Sequence, residues 1–395
     1  MHANCDVIVA GHVCLDILPD LSAIPQGEWD SLFRPGSLLS VGPVHFAPGG
    51  VVSNTGLTLH KLGSATRLVG KIGDDPFGRE IRQIMESYGT GLADDMLVDE
   101  AVSTSYTIII NPPGIDRIFL HCPGANDSFC AEDLGDDLLQ QGRLLHFGYP
   151  PVMERMYVDR GAQLVQILRR AKTLDLTTSL DMTLPDPSSP GGQVDWAAIL
   201  KAAGPNTDIF VPSIEETLYM LRRRTYDELT RVDGISARIS APLLTELSDQ
   251  LLDMGVKIVG FKLGDRGLYL RTGGRAEMES MGAAGPHDPD AWADKELWSP
   301  CFQVDVVGTT GAGDATIAGL LSGLLRGLSA EEALVAAVAV GACNVEAADA
   351  LSGILAWDET MQRVAAGWSR RGLSIAAPGW RFDSESQIWI GPAGA

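Results

Sequence analysis

Short runs of β-branched and apolar residues alternate along the chain with longer stretches of helical periodicity. Residues 6–10, 65–72, 178–181, 208–211 and 257–262 predict strands, and the helical patterns between them predict a mostly parallel central sheet with helices on both faces, an α/β architecture. The sharpest helix signal follows Asp74-Asp75-Pro76. An acidic cap and a proline in the first turn precede Ile81, Ile84, Met85 and Tyr88 at helical spacing, and Gly89 ends the pattern.

Two segments break the alternation. Residues 103–110 and 115–122 are β-rich and joined by Asn111-Pro112-Pro113-Gly114, which predicts a hairpin. Residues 11–46 are rich in Pro, Gly and Ser with weak helical periodicity. Together they predict a small β lid over the carboxyl edge of the main sheet, where ligands bind in open α/β folds. Residues 275–300, rich in Gly, Pro and Asp, read as a surface insertion between two strands, and residues after about Arg371 lack a clear core pattern. No internal repeat is present.

Composition narrows the function classes. The 395 residues, 45% hydrophobic and 21% charged, are those of a globular chain. A formal net charge of −21 argues against nucleic acid or anionic lipid as partners, both of which need clustered Lys and Arg. It leaves open a phosphate-bearing ligand held by local backbone donors and a few cations. Cys5, Cys14, Cys122, Cys130, Cys301 and Cys343 are scattered without metal-ligand spacing and read as reduced thiols of a cytoplasmic protein. The apolar run Val7–Ala10 has no basic flank or cleavage site, and the apolar stretch 333–343 is too short to span a bilayer, so no membrane segment is expected.

The segment carrying chemistry is Val306-Val307-Gly308-Thr309-Thr310-Gly311-Ala312-Gly313-Asp314-Ala315-Thr316, which opens an apolar helix. Gly311 and Gly313 allow close backbone approach to a ligand, and free amides at a helix start stabilise an anion. A carboxylate at Asp314 would be repelled by bound phosphate unless a metal or a proton transfer gives it a role. A Walker A loop is excluded because Asp314 and Ala315 follow Gly313 where Lys is required, and Thr316 does not fit a dinucleotide fingerprint. A glycine-rich helix entry with Asp314 as a plain cap is the structural alternative.

This stretch resembles the GAGD signature of the ribokinase-like (PfkB) carbohydrate kinase family. Gly49-Gly50-Val51-Val52-Ser53-Asn54, then Gly63 and the Gly70–Gly78 segment, resemble a second signature of that family in the expected order. Further similarity lies in residues 11–16, 124–127 and 262–267. The resemblance implies a ribokinase-like fold over residues 1–370, with lid segments at about 13–47 and 103–126 and a C-terminal extension at 371–395. It implies that Asp314 takes the acceptor proton while the amides of Gly311, Ala312 and Gly313 form an anion hole. Asp16, Gly49, Gly50 and Asn54 resemble the acceptor-binding set, with Asn126 and Asp181 at the rim. Lys262, Gly264, Asp265 and Gly267 resemble the nucleotide loop, and Asn344 falls near the expected adenine region. Glu216 resembles the residue that organises magnesium through water.

Two departures accompany the resemblance. Ser213 stands where many members have Asn three residues before Glu216, and Gly308 stands where many have an Asp that helps hold a monovalent cation, which implies at most a modest potassium effect. The implied activity is transfer of the γ-phosphoryl group of Mg-ATP to a hydroxyl of a small sugar. A nucleoside acceptor is the alternative within that chemistry, and a catalytically silent sugar- or nucleotide-binding regulator is the alternative outside it. Exposed lid edges and the habit of related kinases of pairing lids imply a homodimer.

Overall fold

The computed structural model describes residues 5–24, 35–36, 38–111, 118–230 and 235–394, without the side chains of residues 236 and 237. Strands are numbered in chain order. Six strands of a ten-stranded main sheet, β4 (Thr66–Val69), β1 (Val7–Gly11), β9 (Leu144–Gly148), β10 (Thr177–Asp181), β11 (Ile209–Phe210) and β12 (Ile258–Lys262), run parallel. Beyond β12 the sheet turns antiparallel through β13 (Leu268–Thr272), β14 (Glu296–Ser299), β16 (Ile388–Ile390) and β15 (Arg381–Asp383).

The expected strands all form in or near their predicted places, and the burial of β1 on both faces shows why the pattern was apolar there. Val7 and Val9 join the core on one face, Ile8 and Ala10 the core on the other, as in a parallel strand covered by helices on both sides. The segment 65–72 is a single strand in the sequence pattern but two in the structure. After β4 the chain leaves the main sheet, and Lys71 turns to pair with Asp133 at 2.7 Å. β5 (Lys71–Gly73) then pairs with β6 (Leu97–Asp99) in a separate small sheet. Helix α2 (Pro76–Tyr88) starts as predicted: Asp75 accepts from the Gly78 amide at 2.8 Å, and its other oxygen accepts from the Thr104 amide at 2.7 Å, tying the helix to the lid approach.

The lid is a four-stranded sheet of β3 (Val44–Gly49), β2 (Cys14–Pro19), β7 (Tyr106–Ile110) and β8 (Ile118–Cys122). β7 and β8 run antiparallel as the hairpin reading requires; of its turn, Asn111 is described and the rest lies outside the described residues.

Two readings of the second half are corrected. Residues 275–300 do lie between two strands, but they are not a surface insertion. Met278, Met281, Ala284 and Trp292 are buried in the main core, the Trp292 indole donates to the Leu328 carbonyl at 2.8 Å, and the segment ends as β14. Burial of each such large apolar side chain contributes about 1.5–3 kcal/mol, a gain hidden by the loop-like composition around them. The tail after Arg371 also has a core pattern, carried by few residues. Ile388 is fully buried, and the buried carboxylate of Glu296 holds the end of the tail by accepting from the Ala393 amide at 3.3 Å while its backbone carbonyl accepts from Gly391 at 2.7 Å. Among the described residues no helix is long and apolar enough to cross a membrane.

Candidate active site

The parallel strands deliver their carboxyl ends to one place. His12 follows β1, Tyr149 follows β9, Asp181 ends β10 and Lys262 ends β12, so four side chains converge where open α/β sheets bind ligands. Against these ends stands the start of the Ala312–Leu325 helix. Gly311, at φ 73°, makes the left-handed turn into it, a conformation glycine adopts without steric cost. A cavity of about 490 Å³ opens there, and its polar lining includes Asp314, Lys262 and Glu216 beside Gly311, Ala312 and Gly313. Apolar Phe302, Val304, Val338, Ala342 and Val345 line it too, as do Gly264, Asp265 and Gly267.

Asp314 is 4% exposed and densely bonded. Asn54 Nδ2 donates to its Oδ2 at 3.1 Å and Thr55 Oγ1 to its Oδ1 at 3.0 Å. The Tyr149 hydroxyl lies 3.0 Å from Oδ1 and 2.8 Å from Oδ2. Asn54 and Thr55 come from α1 (Val51–Lys61), whose first residues are all buried. Burial, then the carboxylates of Asp314 and Asp181, push the Tyr149 phenol well above the ordinary tyrosine range, so it stays protonated and donates.

Lys262 and Arg371 both bring a cation to the cavity, and Lys262 is the one beside the helix start. Its Nζ pairs with Asp181 Oδ1 at 2.8 Å and lies 3.3 Å from where a Cβ on Gly313 would stand, beside the helix start. Burial works against its charge, yet Asp181, then Glu216 and Asp314, hold it above the usual lysine range. Asp181 is raised by burial; Lys262 opposes that and the facing Glu216 and Asp314 add to it. Glu216 is likewise raised, chiefly by burial. Ser213 and Glu216 form a capping box at the Ile214–Leu221 helix, the Ser213 amide donating to Glu216 Oε2 at 2.6 Å and the Glu216 amide to Ser213 Oγ at 3.1 Å. Ser213, the departure from the family pattern, therefore orients the carboxylate facing the cavity.

On the lid side, Gly49 and Gly50 bring the backbone against two polar side chains. A Cβ on Gly49 would lie 2.5 Å from Asp16 Oδ2, and one on Gly50, at φ 85°, would lie 2.5 Å from the His12 carbonyl oxygen. Asp16 is pushed up to about 6 by burial, against the hydrogen bonds of Cys14 and Thr107. His12 and His121 approach with their Nε2 atoms 3.4 Å apart, and burial followed by His121 holds His12 well below the usual histidine range.

Asp16, Gly49, Gly50, Asn54 and Asp181 adjoin the site without lining this cavity, and two further predicted residues spend their side chains on backbone groups. Asn126 is fully buried, its Oδ1 accepting from the Val13 amide at 3.1 Å and its Nδ2 donating to the Val13 carbonyl at 2.9 Å; it braces the 11–16 segment as a peptide group would. Asn344 points its Nδ2 to the Ala350 carbonyl at 2.7 Å and does not line the cavity, whereas Gly341, Ala342 and Val345 around it do. Thr55, Tyr149, Phe302 and Arg371 are site residues the sequence reading missed. Thr55 had the neighbouring Asn54 as a signal; Tyr149 had only its place after an apolar run.

Residues 9–356 match the model of the pfkB family carbohydrate kinases. The chain belongs to the pfkB family. Fructokinase-2 of Oryza sativa subsp. japonica is 25% identical over 317 residues, covering 80% of this chain and 78% of the relative. An Arabidopsis thaliana ribokinase complexed with ribose and ATP shares the fold at TM-score 0.68 and 18% identity, covering 92% of this chain and 98% of its own. A Methanocaldococcus jannaschii nucleoside kinase shares it at TM-score 0.64 and 18% identity, covering 92% and 99%. Both sugar and nucleoside kinases thus occupy this fold. In this pfkB kinase, Lys262 and Asp314 line one cavity at the start of the Ala312–Leu325 helix.

Proposed function

We propose that this pfkB kinase transfers the γ-phosphoryl group of ATP to a hydroxyl of a small sugar, with Asp314 as the base. The observation that carries the reading is the buried Asp314 carboxylate at the start of a helix whose amides face the same cavity as Lys262. Asp314 accepts the proton of the acceptor hydroxyl, and the amides of Gly311, Ala312 and Gly313 with the Lys262 ammonium stabilise charge on the group in transfer.

The residues present fit the nucleotide. A cavity of about 490 Å³ with an apolar wall for a base and a cationic end for phosphates is of the size and character small-molecule sites have. They also fit magnesium in a limited way. No cluster of three His, Cys, Asp or Glu residues is placed to hold a metal among the described residues, so Glu216 would hold the ion together with the nucleotide's own phosphates. That ion supplies charge neutralisation between the phosphates when bound. Asp16, Gly49, Gly50 and Asn54 support the acceptor end.

ATP consumption measured across a panel of sugars and nucleosides, with the product identified by mass, tests the reading. A phosphorylated sugar is expected. A phosphorylated nucleoside alone would move the assignment to the second acceptor class, which the His12 and His121 rings, 5.2 Å apart, favour as stacking partners. No consumption with any acceptor would leave the silent regulator.

We also propose a homodimer formed through the lid and a cytoplasmic location. The outer lid strands β3 and β8 carry exposed Val44, Phe46 and Leu120, apolar groups on unpaired edges that a second copy would cover. Twice the chain mass at micromolar concentration is expected by light scattering; a monomeric mass would refute the pairing. The six free cysteines support the reducing compartment.

A further inference from the structure

A carboxylate offers about four lone-pair directions, and in this structure three donors converge on those of Asp314, the Tyr149 hydroxyl lying within hydrogen-bond distance of both oxygens. Oδ1 meets Thr55 and Tyr149; Oδ2 meets Asn54 and Tyr149. With the phenol oxygen 3.0 and 2.8 Å from the two carboxylate oxygens, an incoming hydroxyl has no approach to the remaining lone pair until one donor moves. Asn54 and Thr55 cannot leave easily, since both are short side chains in the buried first turns of α1. Tyr149 is different. It lines the cavity, it sits between β9 and a 3-10 turn at Pro150–Val152, and its backbone is held at φ 67°, a left-handed conformation that costs a non-glycine residue free energy and persists only where the surroundings enforce it.

We propose that Tyr149 seals Asp314 in the empty site, occupying the place of the acceptor hydroxyl, and releases the carboxylate when the acceptor enters. The seal answers a problem every such kinase site meets. With nucleotide bound and no acceptor present, water can hand its proton to the base while its oxygen forms the bond to the γ-phosphorus and the bond to the β,γ-bridging oxygen breaks, which hydrolyses the nucleotide. A phenol bridging both carboxylate oxygens excludes that water. The aromatic ring also abuts the lid side, its centroid 5.9 Å from that of His12. An acceptor lodged against His12, Asp16 and the Gly49-Gly50 backbone would therefore press on the same residue that guards the base.

The inference rests on Asp314 being the base, and the test separates the two. Phosphate release from Mg-ATP alone, with no sugar added, is measured for the unaltered protein, Tyr149→Phe, Asp314→Asn and the double variant. Tyr149→Phe should raise acceptor-independent hydrolysis by about tenfold or more, a part of the effect a freed base can have on water, and adding Asp314→Asn should remove the rise. Tyr149→Asn, a residue suited to the left-handed backbone, should show the same rise and guards against a folding defect peculiar to Phe. Hydrolysis unchanged or lowered in both folded Tyr149 variants would overturn the seal, as would a rise that survives Asp314→Asn. Failure of the kinase reading shows elsewhere, as sugar phosphorylation that is absent in the unaltered protein or undiminished in Asp314→Asn.

Discussion

Asp314→Asn should lower turnover about a hundredfold or more while nucleotide binding persists, because general-base catalysis contributes on that scale and the variant removes the base alone. The surroundings tolerate the amide. Its oxygen can still accept from Asn54 Nδ2 and its NH2 can donate to Thr55 Oγ1, which as a hydroxyl both donates and accepts. Stability should therefore fall by no more than the difference between charged and neutral hydrogen bonds, about 1–2 kcal/mol. Gly311, not Asp314, is the N-cap of this helix; were Asp314 only a structural part of the helix start, turnover would stay near normal whatever the change in stability. Turnover, nucleotide affinity and melting temperature on one preparation decide it, and near-normal turnover in a folded variant removes Asp314 from the mechanism.

Lys262→Met should be the most damaging change for stability. Asp181 is 1% exposed, Lys262 is its ion-pair partner, and its Oδ2 has no hydrogen-bond partner among the described residues. Removing the ammonium leaves Asp181 and Glu216 facing Asp314 across a buried space. Breaking a buried pair from one side costs about 3–5 kcal/mol. Uptake of a proton by Asp181, whose pKa burial already raises, places the expected loss at the lower end. Nucleotide affinity should fall with it, as the cavity loses the cation beside the helix start and keeps only Arg371. Lys262→Met combined with Asp181→Leu should regain stability but not affinity, since it removes the stranded carboxylate without restoring the charge. Denaturant unfolding and nucleotide titration of both variants check this; unimpaired nucleotide affinity in the single variant would take Lys262 out of the site.

How far the sequence could be read followed from how local each signal is. The parallel strands, α2 and the motif helix announce themselves through contiguous periodicity or caps, and they lie where expected. Trp292 and Ile388 do not, because a few apolar anchors among Gly, Pro and Asp leave no period to detect, although each is buried in the core. Within the site, residues adjacent to a motif were recoverable. Those brought in by topology were not: Tyr149 reaches Asp314 only because β9 ends and the motif helix begins at the same edge of the sheet. Asn126 and Asn344 show the converse. An amide beside a family segment looks like a ligand contact until the structure shows it engaged with the Val13 or Ala350 backbone.

None of the three donors to Asp314 comes from the lid: Asn54 and Thr55 belong to α1, and Tyr149 to the end of β9. Asp16, proposed for the acceptor end, belongs to β2. Of the proposed acceptor set, Asp16 and Gly49 belong to lid strands while Asn54 also holds Asp314, so the lid carries a part of the choice of acceptor that is separate from the base. Divergence of the lid strands can retune which molecule is accepted without rebuilding the proton-abstracting centre, and an engineer wishing to redirect this kinase would graft lid strands and leave the sheet ends untouched.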